Sequence, residues 1–461
     1  MSHIIHDWRP EDPQFWQSQG RAIARRNLWI SIPALFLAFA IWQVWSATVI
    51  ELSSIGFKLT TSQLFWLTAI PSLSGALARA CYSFMVPIFG GRRWTTLSTA
   101  MLLLPALGIG FAVRDPSTSY FTLVILALLC GFGGGNFSSS MANISFFYPK
   151  AEKGTALGLN AGLGNLGISA AQFLIPLVIT TGLFGSLAGG PQPWSNGGVT
   201  KEIWLQNAGF IWVPLILLAA AAAWFGMNDL SCASASFREQ AVIFRRKHNW
   251  IMCFIYLGTF GSFLGFSAGF PMLIKSQFPG VNALKFAFFG PLIAALARPV
   301  GGWWADKIQS GARITQYVFT GTIIGILGVL LFLPDANGQG GSFWGFFLSF
   351  MVLFVMTGLG NGSTFMQIPA IFLSFHKARA ARGEISEEQA LREAGKESAA
   401  VAGFTGAFAA FGGFFIPMSY GISIARTKHV DAALWGFIAF YLICCLANWW
   451  YYLRAQAEAK C

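Results

Sequence analysis

Long apolar runs alternate with short polar segments along almost the whole chain of 461 residues. A membrane-spanning helix needs about 20 mostly apolar residues in succession. Twelve runs are of this kind: 28–50, 63–89, 94–113, 119–148, 154–182, 207–227, 249–273, 283–305, 313–333, 342–375, 397–422 and 432–453. We therefore predict an all-α membrane protein with twelve transmembrane helices.

Two sequence motifs occur once in each half of the chain. Ala-Leu-Ala-Arg ends at Arg79 and again at Arg298, while Phe-Leu-Ile-Pro at 173–176 has a counterpart, Phe-Phe-Ile-Pro, at 414–417. Two six-helix repeats, arranged as in parallel-repeat transporters, explain this duplication. The expected domains are an N-terminal bundle over 1–227, a cytoplasmic linker over 228–248 and a C-terminal bundle over 249–461.

Composition and charge agree with a membrane location. The chain is 55% hydrophobic and only 10% charged, whereas soluble domains average about 25% charged residues. When both termini are placed on one side, only seven of the 30 Lys and Arg residues fall in loops on the other: Lys58, Arg114, Lys201, Lys275, Lys285, Arg426 and Lys428. This bias predicts cytoplasmic termini in a multi-pass protein of the cytoplasmic (inner) membrane, and it explains the net charge of +12 without a nucleic-acid partner.

Arg79 and Arg298 each lie about 15 residues into an apolar run. A charge at such a depth costs at least ~2.5–3.5 kcal/mol, and the depth disfavours the alternative that these side chains extend back to the membrane surface. The predicted spans carry no Asp or Glu except at their ends. We therefore expect the two arginines to face one another and to share one bound anion, which is their counter-charge.

Glycine is concentrated in particular runs. The fifth run has Gly154, Gly158 and Gly162 on one helical face, followed by Gly164, Asn165 and Gly167; the eleventh has Gly403, Gly406, Gly412 and Gly413. Small residues let membrane helices approach closely. Two explanations of this glycine pattern remain open. The glycines serve ordinary tight packing, or they form smooth helix faces that slide past one another during transport.

Two glycine-containing segments carry a family resemblance. Segments 162–167 (GLGNLG) and 402–407 (AGFTGA) resemble the two signature segments of the nitrate/nitrite porter family, within the major facilitator superfamily. The resemblance covers nearly the whole chain and is closest to bacterial nitrate/nitrite antiporters. One departure is Ala409, where glycine is expected.

A further segment, 302–307 (GWWADK), is similar to the loop motif that follows the second helix of each half in the superfamily. We interpret its aspartate, Asp306, as part of a hinge latch between helix ends. The first-half counterpart, Gly-Gly-Arg-Arg at 90–93, lacks the aspartate.

The resemblance implies nitrate and nitrite as substrates, and it implies site residues. The guanidinium fork of arginine suits the edge of a small planar oxyanion. The implied substrate-binding residues are Arg79, Arg298, Asn165, Tyr256, Phe137, Phe260, Gly164 and Gly406, with Phe137 and Phe260 as an aromatic clamp. The implied conformational or signature residues are Gly162, Gly167, Gly403, Gly412 and Asp306.

The expected function is secondary active transport that exchanges nitrate for nitrite by alternating access. Two unpaired charges resist closure of an empty cavity, so exchange is favoured. All five histidines are expected in tails or loops, which argues against a nitrate/proton symporter of the same family. That symporter is the alternative, with an anion channel or a nitrate sensor as a different class.

No metal-ligand cluster, nucleotide-binding loop or nucleophile constellation is evident, so we expect no enzyme activity, cofactor or metal. The expected partners are the two anions and the lipid bilayer, and the protein is expected to be a monomer. The polar segment 376–396 is predicted to contain a cytoplasmic amphipathic helix over 384–396.

Overall fold

The computed structural model describes residues 3–196, 198–231, 241–335, 338–459 and 461. Within these ranges, twelve helices are long and apolar enough to cross a membrane, which confirms the predicted fold class. We label them α1 Pro13–Ile55, α2 Thr61–Tyr82, α3 Gly91–Ala112, α4 Tyr120–Phe147, α5 Lys150–Val178, α6 Asn207–Gly226, α7 Lys247–Gln277, α8 Ala283–Lys307, α9 Gly311–Phe332, α10 Phe343–Ala381, α11 Glu387–Thr427 and α12 Asp431–Leu453. Residues 232–240 of the predicted linker lie outside the described ranges.

Several of these helices consist of consecutive pieces. The pieces are Pro13–Phe15, Trp16–Gly20, Arg21–Trp42, Val44–Leu52 and Ser53–Ile55 in α1; Gly91–Ala100 and Leu103–Ala112 in α3; Asn207–Phe210 and Trp212–Gly226 in α6; Lys247–Tyr256, Leu257–Gly261 and Ser262–Gln277 in α7; Ala283–Lys285 and Phe289–Lys307 in α8; Glu387–Ala409 and Gly412–Thr427 in α11; and Asp431–Asn448 and Trp449–Leu453 in α12. A short helix, Met85–Phe89, follows α2, and 3₁₀ turns occupy Gly185–Leu187 and Ala241–Arg245. The piece Leu257–Gly261 is a π-helical turn, a feature that is frequent at functional sites.

Two small sheets accompany the helices. β2 Gln192–Asn196 and β3 Val199–Ile203 form an antiparallel hairpin, while β1 Ile4–Ile5 pairs in parallel with β4 Asp229–Leu230. The hairpin was not predicted, although the sequence Asn-Gly-Gly at 196–198 is a strong hairpin signal. Gly198 has φ of +82°, which glycine adopts without strain.

The segment 384–396, predicted as a cytoplasmic amphipathic helix, is helical from Glu387 onward, but it is the first part of α11 and not a helix of its own. Helix α10 continues to Ala381, and α11 begins at Glu387 and runs without interruption to Ala409. The Ser386 hydroxyl caps α11 by accepting a hydrogen bond from the Gln389 N–H at 3.2 Å. The polar residues therefore extend two spanning helices beyond their apolar parts.

Two histidines are also not where the sequence predicted them. His248 lies in α7 and His376 in α10, and both side chains are buried. His376 is fully buried because the ends of α10 and α11 pack against one another.

The contacts divide the chain into two compact units. Unit 1 is Met1–Ala235 with Ser267–Phe288, and unit 2 is Ser236–Phe266 with Phe289–Cys461. In unit 1, α2 packs extensively against α4, and α1 against α5; in unit 2, α10 packs against both α8 and α9. The division passes through α7, so the part of this helix from Ser267 onward belongs to unit 1.

Candidate functional site

Arg79 is fully buried in unit 1, in the last turn of α2. Its Nε donates a hydrogen bond to the carbonyl of Gly134 on α4 at 3.0 Å. Its guanidinium carbon lies 4.7 Å from the ring centre of Phe137 and 5.0 Å from that of Trp42. A buried guanidinium over aromatic faces gains about 2 kcal/mol from the ring quadrupoles. The arrangement therefore holds a positive charge in an apolar bundle.

The glycines of α4 make this arrangement sterically feasible. A Cβ on Gly131 would lie 2.6 Å from the backbone nitrogen of Gly75 on α2, and one on Gly134 would lie 2.7 Å from the Trp42 ring. On the opposite side, a Cβ on Gly133 would lie 2.1 Å from the carbonyl oxygen of Ala38 on α1. Close packing is therefore the role of these glycines, and it brings Trp42, Arg79 and Phe137 together.

Arg298 is half-buried in α8 of unit 2. Its Nη1 is buried and has no hydrogen-bond partner among the residues that the structure describes. Nor does any carboxylate of the described residues lie within 4.0 Å of its guanidinium nitrogens. A buried donor left without an acceptor costs about 1–3 kcal/mol, and more when the group is charged.

Helix α10 approaches the backbone of α8 at this arginine. A Cβ on Gly362 would lie 2.2 Å from the Arg298 carbonyl oxygen, and one on Gly358 would lie 2.3 Å from that of Ala294. The helices thus meet backbone to backbone beside Arg298.

Tyr256 and Phe260 lie on α7, where the π-helical turn follows Tyr256. Their ring centres are 5.4 Å apart with the planes inclined by 20°, so the two rings are stacked. The Tyr256 hydroxyl donates a hydrogen bond to Oδ1 of Asn361 on α10 at 2.7 Å, and both side chains are buried. Asn361 and Trp42 are contact residues that the sequence analysis did not assign to the site. An asparagine inside the glycine-rich run 358–362 was the available signal for Asn361.

Comparison with known proteins identifies the family. The sequence profile described as "Major Facilitator Superfamily" matches residues 22–386. "Nitrate/nitrite transporter NarU" of Salmonella typhimurium is 51% identical over 462 residues, with coverage of 99% of this chain and 98% of that protein. The Escherichia coli protein of the same name is 49% identical over 458 residues, with the same two coverages. "Probable nitrate/nitrite antiporter NarK2" of Thermus thermophilus is 43% identical over 463 residues, again covering 99% and 98%.

The chain belongs to the nitrate/nitrite porter family of the major facilitator superfamily. With its twelve apolar helices, it is a multi-pass membrane protein.

The first signature segment of the family packs against α1. A Cβ on Gly164 would lie 2.8 Å from the Leu35 side chain, and one on Gly167 would lie 2.0 Å from the Phe36 carbonyl oxygen. Asn165 lies between these glycines, and its buried Oδ1 has no hydrogen-bond partner within the described parts of the chain. Within unit 1, a Cβ on Gly162 would meet no described atom within 4 Å. The two glycines flanking Asn165 are packing positions, whereas Gly162 is not.

At the glycines of the second signature segment, no described helix of the same unit packs against the position of a Cβ. Within unit 2, a Cβ on Gly403 or Gly406 would meet no described atom within 4 Å. A Cβ on Gly412 would lie 2.4 Å from the backbone of Gly261 on α7. Helix α11 is interrupted after Ala409, at 410–411, immediately before this close approach. The departure from the family pattern at Ala409 therefore lies at a break in the helix.

The loop motif of the superfamily is also unequal in the two halves. The carboxylate of Asp306 is exposed and forms no ion pair with any described residue. The first-half loop, which lacks its own aspartate, instead receives Asp229 from the segment after α6. Asp229 accepts hydrogen bonds from the backbone N–H groups of Arg92 at 2.7 Å and Arg93 at 3.4 Å, and its Oδ2 lies 3.5 Å from Arg92 Nε. A carboxylate at a helix N-terminus is stabilising, and this one holds the start of α3.

Proposed function

We propose that the protein is a secondary active transporter that exchanges nitrate for nitrite across the cytoplasmic membrane by alternating access. The observation that carries the proposal is the pair of arginines in apolar helices. Arg79 is fully buried beside two aromatic rings, and Arg298 has a buried Nη1 without a partner among the described residues. The names of the relatives, which refer to nitrate and nitrite transport, support the same substrates.

In this proposal both arginines bind one planar oxyanion through their N–H forks. Phe137 and Phe260 provide aromatic faces for the plane of the anion, while Asn165 and Tyr256 donate hydrogen bonds to its oxygens. Gly406 leaves room for the anion beside the backbone of α11, and Gly164 takes part through its own backbone next to Asn165. The contact of Phe137 with Arg79 and the stacking of Phe260 on Tyr256 support these roles.

Exchange follows from the charge balance. Closing a cavity around two guanidinium groups removes their positive charge from water, which is costly while no anion is bound. An anion between them neutralises this charge and permits closure, so the loaded carrier reorients much faster than the empty one. Alternating access uses the two repeats, 1–227 and 249–461, and both termini are cytoplasmic.

Counterflow in proteoliposomes tests this function. Vesicles containing the purified protein are loaded with nitrite or with an impermeant anion, and uptake of ¹⁵N-labelled nitrate is measured with and without a pH gradient. Exchange predicts uptake that requires internal nitrite and is indifferent to the pH gradient. Uptake into vesicles without internal nitrite or nitrate would contradict exchange; a dependence on the pH gradient would then indicate symport, and its absence a channel.

A nitrate/proton symporter is the second candidate, and one observation favours it. His376 is fully buried in α10, with Nδ1 3.4 Å from a Glu393 carboxylate oxygen and Nε2 3.4 Å from one of Glu397. Titratable groups buried in spanning helices are typical of proton-coupled carriers. Symport predicts that His376→Gln abolishes uptake driven by the pH gradient, whereas exchange predicts that nitrate/nitrite counterflow persists in this variant.

A further inference from the structure

The Tyr256 hydroxyl on α7 donates a hydrogen bond to the Asn361 side chain on α10. The 2.7 Å bond joins two side chains that are each 2% exposed. A hydrogen bond between neutral groups contributes about 1 kcal/mol when both remain paired, and losing one partner in a buried site costs more. This bond fixes the direction in which the Tyr256 hydroxyl hydrogen points.

The position of Asn361 is itself fixed relative to Arg298. The next residue, Gly362, has no room for a Cβ because the Arg298 carbonyl oxygen lies 2.2 Å from where that atom would be. No side chain intervenes between these two backbones, so α10 and α8 have little freedom to shift against one another. Residues 361 and 362 of α10 thus link the Tyr256 hydroxyl to the helix that carries Arg298, one through a hydrogen bond and the other through close backbone packing.

The glycine pattern of α4 gives an internal comparison for this stretch. Gly131, Gly133 and Gly135 align with Gly358, Gly360 and Gly362 at a constant offset, and the same offset places Gly134 opposite Asn361. Gly134 accepts the Arg79 Nε–H through its backbone carbonyl, and a Cβ there would strike the Trp42 ring at 2.7 Å.

Equivalent positions therefore hold different groups in the two units: a backbone carbonyl holds an arginine in unit 1, and an amide side chain holds a tyrosine in unit 2.

The chemistry of the amide explains why this residue is asparagine. A tyrosine hydroxyl has a single hydrogen, and in this structure it points to Asn361 Oδ1. To donate to an anion instead, the hydroxyl must turn away, and its oxygen then needs a donor. A rotated amide supplies that donor from Nδ2, whereas a carboxylate only accepts and an aliphatic side chain does neither.

We infer that Asn361 is a positioning residue that reverses the hydrogen-bond direction at Tyr256, so that the Tyr256 hydroxyl donates to a bound oxyanion. This inference rests on the proposed function, because it requires an anion beside Tyr256. Asn361 acts through Tyr256 and not on the anion itself.

A double-mutant cycle tests the inference. Nitrate/nitrite counterflow is measured for the wild type, Asn361→Leu, Tyr256→Phe and the double variant, with KM and Vmax determined separately. We expect KM for nitrate to rise roughly tenfold in each single variant, because each variant loses one hydrogen bond to a charged group. The double variant should show no further increase over Tyr256→Phe, because both changes remove the same interaction.

Asn361→Asp and Asn448→Leu are the accompanying variants. Asn361→Asp has nearly the same volume but cannot donate, so its KM should rise at least as much as that of Asn361→Leu. Asn448 is equally buried on α12, where it donates to the Ala312 carbonyl at 2.9 Å. Its substitution should lower the melting temperature or Vmax while KM stays at the wild-type value.

The outcomes separate this inference from the proposed function. If the wild type exchanges nitrate for nitrite but the increases in KM of the two single variants multiply in the double variant, the role of Asn361 is overturned while the proposed function stands. A wild-type KM in Asn361→Asp or Asn361→Leu would have the same consequence. A wild type that shows no counterflow would remove the proposed function and this inference with it. The inference is supported if the changes in KM are non-additive in the double variant and Asn361→Asp raises KM as expected.

Discussion

The guanidinium carbon of Arg79 lies 4.7 Å from the centre of the Phe137 ring. This contact joins a charge on α2 to an aromatic face on α4, and it exists because the intervening glycines let the two helices touch. It stabilises the guanidinium where water is excluded, and it orients the fork that is proposed to bind the anion.

Replacing Phe137 by leucine should weaken nitrate binding. Leucine preserves most of the apolar volume but has no ring quadrupole, so about 1–2 kcal/mol of cation–π stabilisation is lost. We expect KM for nitrate in counterflow to rise roughly tenfold. Phe121→Leu is the matched control, because Phe121 lies on the same helix but is 71% exposed. A wild-type KM in Phe137→Leu would remove this ring from the site.

Arg79→Lys and Arg298→Lys should each reduce counterflow severely. Lysine keeps the positive charge but loses the planar fork. The loss of one or two charge-assisted hydrogen bonds predicts at least about a hundredfold drop in Vmax/KM. Arg426→Lys makes the same chemical change at an exposed position at the end of α11 and should transport normally. If Arg79→Lys or Arg298→Lys transports at the wild-type rate, the two-arginine site is refuted.

Asp229→Ala should destabilise unit 1. Removing this carboxylate leaves the buried Arg92 without its ion-pair partner and exposes the unpaired N–H groups at the start of α3. Breaking a buried ion pair from one side costs about 3 kcal/mol. Thermal unfolding of the detergent-solubilised protein should therefore shift clearly downward.

Asp306→Ala serves as the comparison for that measurement. The exposed Asp306 has no ion pair in the described part of the chain, so its removal should change stability by no more than about 0.5 kcal/mol. Equal shifts for the two variants would contradict the assignment of Asp229 as the anchor of the first-half loop.

Gly362→Ala should damage both stability and transport. Its Cβ would lie 2.2 Å from the Arg298 carbonyl oxygen, a backbone atom that cannot move aside. Overpacking of this kind costs about 1–3 kcal/mol, and it also displaces the helix that carries Arg298. Thermal unfolding and counterflow measure the two effects.

Gly403→Ala provides the contrast, since a Cβ there would meet no described atom of its unit. Alanine favours the helix by up to about 1 kcal/mol, so this variant should be as stable as the wild type or slightly more so. Loss of stability in Gly403→Ala but not in Gly362→Ala would show that the packing argument is wrong.

The segment between α10 and α11 shows where sequence patterns stop being sufficient. Hydropathy marks the part of a helix that lies in lipid, so the charged segment 376–396 was predicted to separate two spans and to contain a helix of its own over 384–396. Its residues instead extend α10 to Ala381 and begin α11 at Glu387, because Ala, Glu and Arg have high helix propensity and because opposite charges pair across the two helix ends. Arg379 Nη1 on α10, for example, lies 3.1 Å from a Glu393 carboxylate oxygen on α11. Hydropathy contains no information on such pairs.

The site divides in the same way. Arg79 and Arg298 were evident from the sequence, since a charge within an apolar run is rare in any setting. Trp42 and Asn361 were not assigned, because each contacts a residue on another helix: Trp42 contacts Arg79, and Asn361 contacts Tyr256. Sequence alone does not show which helices pack together. Nor could the motif at 90–93 indicate that Asp229, far away in the chain, supplies the missing carboxylate.

The sequence by itself determined the twelve spans, the internal repeat and the two arginines within apolar spans, because a bilayer without water imposes a simple length rule and a high cost on charge. Tertiary structure alone decided which groups surround those arginines. In unit 1 the glycines of α4 allow the close packing that places Trp42 and Phe137 against the Arg79 guanidinium. In unit 2 the glycines of α10 bring this helix against α8, which carries Arg298, and the same stretch of α10 provides Asn361 as the hydrogen-bond acceptor of Tyr256. These contacts depend on how closely the helix backbones approach one another, which no pattern of apolar and polar positions specifies.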